Sequence, residues 1–136
     1  MEITTSAMTG RVPVFVIRLN GKLDGSSYQS LIDHAQKLFA EGARNFILDM
    51  SDVSFVSSAG LVGIHTVALL ARGEKVIESE TGWNAIHSMD RNRSKGKSAN
   101  VKLSGPQERV NEIFELSGFN LMFDIYSDLQ AALDSF

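Results

Sequence analysis

LDMSDVSFVSSAGLVGIHTVALLA, residues 48–71, reads as a strand running through a polar stretch into a helix. From Ser58 to Ala71 the residues are apolar on every side, apart from His65 and Thr66. That marks a buried helix rather than a surface one. At its mouth stand Ser57 and Ser58, followed by the small residues Ala59 and Gly60. Ser58 sits where an N-cap belongs, and a hydroxyl accepting a backbone N–H there is worth about 1 kcal/mol. The same pair of hydroxyls also fits a nucleophile, a phosphate site or no special role. Ala59 and Gly60 keep the first turn slim. Slimness adds nothing to a cap, but it lets a partner or a phosphate come close to the helix end.

Working outward, VPVFVIRL (12–19) is a dense β-branched and aromatic run, hence a strand buried on both faces. Pro13 belongs at its start or on a sheet edge. NGKLDGSS (20–27) is turn chemistry, rich in Gly, Asn, Asp and Ser. Leu31, Ile32, Ala35, Leu38 and Phe39 then recur at helical spacing, with Asp33, Gln36, Lys37 and Glu41 opposite. Ser26 with Gln29 forms a capping box at the start of this helix, and Gly42 ends it. NFILDM (45–50) is the next strand.

Downstream of the buried helix, NVKLSG (100–105) is a short strand, and Pro106 is placed as a first-turn proline. Val110, Ile113 and Phe114 give the following helix its apolar face, and Gly118 ends it. LMFDIY (121–126) is the last strand. Ser127 with Gln130 opens a final helix whose Leu129, Ala132, Leu133 and Phe136 share one side. An extra strand is expected near Ile3. Strands and helices alternate, which argues for one α/β domain over residues 1–136 with a mixed, mostly parallel sheet of 4–5 strands and about four helices. Residues 73–100 break the rhythm as a polar insertion, with a short helix expected over 83–90. Its Trp83 either anchors the insertion onto the body or lies exposed for a partner.

Composition narrows the function. The chain has 136 residues, 43% of them apolar and 21% charged, with a net charge of -3. A weakly acidic chain of this kind does not suggest direct nucleic-acid binding. No apolar run approaches the roughly 20 residues of a membrane span. MEITTSAMTG lacks the features of a signal peptide. Cysteine is absent, which excludes disulfides and thiol chemistry and agrees with a cytoplasmic setting.

Other motifs fail on their chemistry. SKGKS (94–98) ends like a phosphate loop, but Arg91 stands where the first glycine is required. Arg91, Arg93, Lys95 and Lys97 form either a solvated basic loop or a surface for an anionic partner. His34, His65 and His87 lack metal-ligand spacing, so no metal or other cofactor is expected. His65 reads as a hydrogen-bonded core or rim histidine. No general base is suggested next to Ser57 or Ser58, which weakens a hydrolase reading.

A phosphate on Ser58 would carry about -1.5 to -2 charges at neutral pH. The helix N-terminus tolerates it, with a gain of about 0.3–1 kcal/mol. Burying the same charge unpaired under a partner costs several kcal/mol. A modification neutral to the fold and disruptive to binding is therefore reasonable at this position.

Residues 48–71 resemble the central segment of STAS domains, the bacterial anti-sigma factor antagonists. VIRLNGKLDGSS (16–27) looks like that family's second strand and its Gly-acidic-Leu-Asp turn. ERVNEIFELSGFNLMFDIYSDLQAAL (108–133) is similar to its C-terminal pattern, in which a helix ends in a Ser/Thr-Gly pair before the last strand and an acidic helix. The resemblance implies a non-enzymatic switch that captures an anti-sigma factor serine kinase and so frees a sigma factor. Phosphorylation by that kinase ends the capture, and a phosphoserine phosphatase restores it. Ser58 takes the acceptor position, with Ser57 as the alternative. Asp24 takes the acidic position near it. The partner surface is expected to comprise Leu23, Asp24, Gly25, Ser26, Ser27, Ser57, Ala59, Gly60 and Leu61. Ser57 stands where many members have Asp, and Ala59 where sporulation-type members have Ser. The family also includes scaffolds of large signalling assemblies and modules sensing a nucleotide or lipid in transport systems, and these readings stay open.

Overall fold

The computed structural model describes residues 1–73 and 97–136. Among these residues five strands form one sheet in the order β1-β2-β3-β4-β5. They are β1 (Glu2–Thr9), β2 (Pro13–Leu23), β3 (Phe46–Val56), β4 (Val101–Ser104) and β5 (Ile125–Tyr126). β1 runs antiparallel to β2, and every later pairing is parallel. The helices among the described residues are α1 (Tyr28–Ala40), α2 (Ser58–Ala71), α3 (Glu108–Ser117) and α4 (Leu129–Asp134). This is the mixed, mostly parallel α/β sheet that the alternation of elements predicts.

Period-2 alternation sorts each strand between two cores. Ile17, Leu19, Phe46, Leu48, Met50, Val101 and Leu103 face the main core with Leu31, Leu38, Ile64 and Val67 of the helices. Val14, Val16 and Ile47 face the other way, onto Ala132 and Leu133 of α4. β2 is thus buried on both sides, as its unbroken apolar run implies. Gly118 closes α3 in a left-handed conformation, φ 79°. Behind it Phe114 stacks on Phe119 with ring centroids 5.9 Å apart, and Phe119 meets Phe123 at 5.4 Å.

Local turn and cap chemistry proved a weaker guide. Residues 20–23 do not turn: they stay in β2 because β3 offers them partners, through Asn20↔Asp52, Lys22↔Phe55 and Leu23↔Val56. Likewise β3 continues beyond Met50 to Val56. Neither capping box forms. Ser27, not Ser26, precedes α1, and its hydroxyl donates to Lys22 O at 2.7 Å rather than capping the helix. Gln29 instead donates to Asp33 at 3.0 Å. At α4 the cap is Asp128, which accepts from Ala131 N at 2.8 Å, while Gln130 donates to Asp134.

Pro106 lies ahead of α3, whose cap position is Gln107. The run 121–126 is mostly not strand. The chain folds into a 3-10 turn, Phe119–Leu121, that buries Phe119, and Met122 and Phe123 after it are buried too. Only Ile125 and Tyr126 pair with β4. The helix expected over 83–90, Trp83, His87, Arg91, Arg93 and Lys95 lie outside the described residues. Lys97 pairs with Asp124 at 3.3 Å.

Candidate functional site: the mouth of α2

Leu23 and Val56 are the last paired residues of β2 and β3. One step further along each strand come Asp24 and Ser57, so the two segments singled out in the sequence emerge side by side. In a parallel sheet this carboxyl end is where sites collect. Ser57 N donates to Leu23 O at 2.9 Å, which ties the entrance of α2 to the end of β2. Gly60 makes this approach possible. A Cβ there would lie 2.3 Å from Leu23 O, closer than any real contact. Gly63 does the same for α1, since an added Cβ would sit 3.2 Å from Tyr28 Cβ.

The cap of α2 is Ser57 rather than Ser58. Ser57 keeps the extended backbone of the strand it leaves, φ -89° and ψ 176°, and its hydroxyl accepts from Gly60 N at 3.2 Å. Ser58 is therefore the first helical residue. It is exposed, and no group among the described residues holds its hydroxyl. The division is chemical: one hydroxyl is committed to the helix end, and the next is presented to solvent. Ala59 and Leu61 beside it are half-buried.

Across the register lies the tight turn after β2. Ser27 N and Tyr28 N both donate to Asp24 O, at 3.1 and 2.9 Å. The Asp24 carboxylate accepts from Ser26 Oγ at 2.6 Å and Ser26 N at 2.9 Å. These bonds from Ser26 hold its carboxyl below the ordinary carboxylate range, so Asp24 is an anion at neutral pH. Asp24 is half-buried, and Gly25 and Ser26 are exposed. Leu23, Ser27 and Gly60 are buried, so they build this surface from beneath and offer no side chain on it. Asp24, Gly25, Ser26, Ser57, Ser58, Ala59 and Leu61 remain at its face.

The surface has a flank that sequence reasoning missed. β4 pairs with β3 only as far as Asp49↔Ser104. Beyond that, the start of α3 closes the side of β3. Gln107 Nε2 donates to Ser51 O at 3.0 Å, and the Arg109 guanidinium lies 5.8 Å from the Phe55 ring. Exposed polar residues in a helix's first turn carry no sequence signal for such a role. Among the described residues no group of His, Asp or Glu could hold a metal ion. His34 meets Thr5 of β1, and His65 is buried in α2. Burial, with a smaller contribution from Arg72, lowers the His65 pKa to about 4, so it is neutral at physiological pH.

Solved structures share this architecture. A putative anti-sigma factor antagonist from Thermotoga maritima is 17% identical, with a TM-score of 0.66 over 89% of this chain and 85% of its own. The anti-sigma factor antagonist SpoIIAA in its unphosphorylated form is 18% identical, TM-score 0.52, over 98% of this chain and 96% of its own. SpoIIAA of Bacillus in its phosphorylated form scores 0.53 at 18% identity, over 98% of this chain and 97% of its own. A sulfate transporter family protein from Wolinella succinogenes is 18% identical, TM-score 0.55, over 88% of this chain and 81% of its own. At these identities the likeness is one of fold. No curated protein matches the sequence. Residues 5–76, from β1 past the end of α2, match the STAS domain family, and the chain belongs to it.

Proposed function

We propose that this chain is an anti-sigma factor antagonist: a binding switch, without a catalytic step of its own, that captures an anti-sigma factor serine kinase until Ser58 is phosphorylated. One observation carries the reading. Ser58 stands exposed and unengaged on the first turn of α2, while Ser57 beside it is committed to the cap. A kinase can reach the first hydroxyl without dismantling the helix end.

The energetics favour a switch. A phosphate of about -1.5 to -2 charges faces the positive end of α2, a local gain of about 0.3–1 kcal/mol. Asp24, ionised on the neighbouring segment, opposes it. The scaffold therefore changes little, whereas a partner closing over the site must desolvate the phosphate at a cost of several kcal/mol. A phosphoserine phosphatase resets the state. SpoIIAA, of like fold, is named in both unphosphorylated and phosphorylated forms. No described helix is long and apolar enough to cross a membrane. We place the switch in the cytoplasm, where kinase and sigma factor meet.

The test incubates the protein with ATP and each candidate anti-sigma kinase of the same genome. Intact-mass and fragment analysis should find one phosphate, on Ser58, absent from Ser58→Ala and retained in Ser57→Ala. Ser58→Asp should keep its fold and lose at least tenfold in kinase affinity. Wild-type affinity in Ser58→Asp overturns the proposal. A large particle in sedimentation, or a saturable thermal shift with a nucleotide or lipid alone, would favour the scaffold or the sensing module instead.

A further inference from the structure

The two edges of the sheet are unlike. β5 is a two-residue strand, Ile125–Tyr126, too short to template another chain. β1 is an eight-residue strand, Glu2–Thr9, with no neighbouring strand on its outer side among the described residues. Natural edges of this length are normally guarded by lysine, proline, a bulge or a covering element. Among the described residues β1 has none of these. Its register with β2 is unbroken from Glu2↔Asn20 to Thr9↔Pro13, and from Ile3 to Thr9 it carries no charge.

The hydrogen-bond phase of β1 follows from its neighbours. Gly10 N donates to Val12 O, and Phe15 N donates away from β1, to Asn45 O. The even-numbered residues therefore bond to β2, and Ile3, Thr5, Ala7 and Thr9 turn their N–H and C=O groups outward. This outward set is complementary to itself. With a two-fold axis through Ser6, Ile3 falls opposite Thr9 and Thr5 opposite Ala7, each in a mutually bonded pair. The α1–α2 layers of the two copies then lie on the same face of the joined sheet. The acidic Glu2 falls beyond the paired set, so no like charges are opposed.

We propose that the outer edge of β1 is a homodimer interface, pairing antiparallel with β1 of a second copy into one continuous sheet. The two-fold axis sends the β2 strands in opposite directions, so the two α2 mouths point to opposite ends of the dimer. Both stay free, and the pairing does not depend on the switch described above.

Sedimentation equilibrium of the purified chain from about 5 to 500 μM, with hydrogen exchange at both ends of that range, tests this. The wild type should pass from monomer to dimer. The amides of Ile3, Thr5, Ala7 and Thr9 should become protected only at high concentration. Ala7→Pro removes an outward N–H and spares the β2 ladder, and Ala7→Lys places a cation on the seam while keeping every backbone group. Each should weaken the dimer at least tenfold. At the dilute end of the range, where both chains are monomeric, Ala7→Lys should keep the wild-type thermal midpoint, which separates lost pairing from lost folding. A wild type monomeric throughout, or a dimer that Ala7→Lys leaves unchanged, overturns the proposal.

Discussion

Ser57 hangs its backbone N–H on Leu23 O at 2.9 Å, and the same oxygen lies where a side chain on Gly60 would have to go. The strand end, the helix entrance and the slim first turn are one construction. Loosening any part should be felt in the others.

Gly60→Ala tests the tightest point. The added methyl meets a backbone carbonyl that cannot swing aside, and overpacking of that kind costs about 3 kcal/mol. Gly63→Ala is the informative comparison. Its contacts are looser, 3.2 Å to Tyr28 Cβ and 3.4 Å to Tyr28 O, so α1 need give only a few tenths of an ångström, and alanine returns about 1 kcal/mol of helix propensity. Urea unfolding should show a large loss for Gly60→Ala and a change within about 1 kcal/mol for Gly63→Ala. The kinase capture proposed above should fail in the first only.

Ser57 and Ser58 should separate in stability before any partner is added. Ser57→Ala removes the cap bond to Gly60 and should cost about 1 kcal/mol, lowering the melting temperature by about 4 °C. Ser58→Ala removes an exposed, unengaged hydroxyl and should stay within about 0.5 kcal/mol. Equal losses in the two variants would count against Ser57 as the cap.

His65 should make the protein acid-sensitive. Its folded pKa of about 4 lies below the ordinary 6.5. Between those values the unfolded chain binds a proton that the folded one refuses, so stability falls as pH drops from about 6.5 towards 4. At about 1.4 kcal/mol per pH unit the loss is on the order of 3 kcal/mol. His65→Leu should flatten the profile across that window in urea titrations at successive pH values. An unchanged profile would assign the sensitivity to other groups.

Asp49 acts at lower pH. Burial raises its pKa, but bonds from Ser51 and Arg18 together outweigh burial and leave it depressed. Its stabilising charge is fully present above the unfolded value near 3.8 and disappears as pH falls through the lower folded value. Arg18 donates to it at 3.0 Å from a side chain 55% exposed. Arg18→Met should therefore cost about 1 kcal/mol at neutral pH and raise the carboxyl titration of Asp49, read by carbon-detected NMR.

Long-period patterns are legible in the amino-acid sequence by itself. The unbroken apolar faces of residues 58–71 and 12–19 have one low-energy destination, a buried helix and a doubly covered strand, wherever the rest of the chain goes. Gly118 and the 129–136 face are equally plain. The candidate site is legible as chemistry, because Ser57, Ser58 and Asp24 sit at changes of pattern. Local readings fail where a tertiary partner outweighs a local preference. Residues 20–23 have turn composition, yet a neighbouring strand satisfies their backbone groups better than a turn could. Ser26 and Ser127 have the right spacing for capping boxes, but the helices start where packing sets them. The run 121–126 folds back because burying Phe119, Met122 and Phe123 outweighs extending the sheet. Only the register of β2 with β3 places Asp24 beside Ser57, and only the extended backbone of Ser57 decides which serine caps α2 and which faces solvent. Pattern fixes what must be buried; pairing partners, distant in sequence, fix where each end falls.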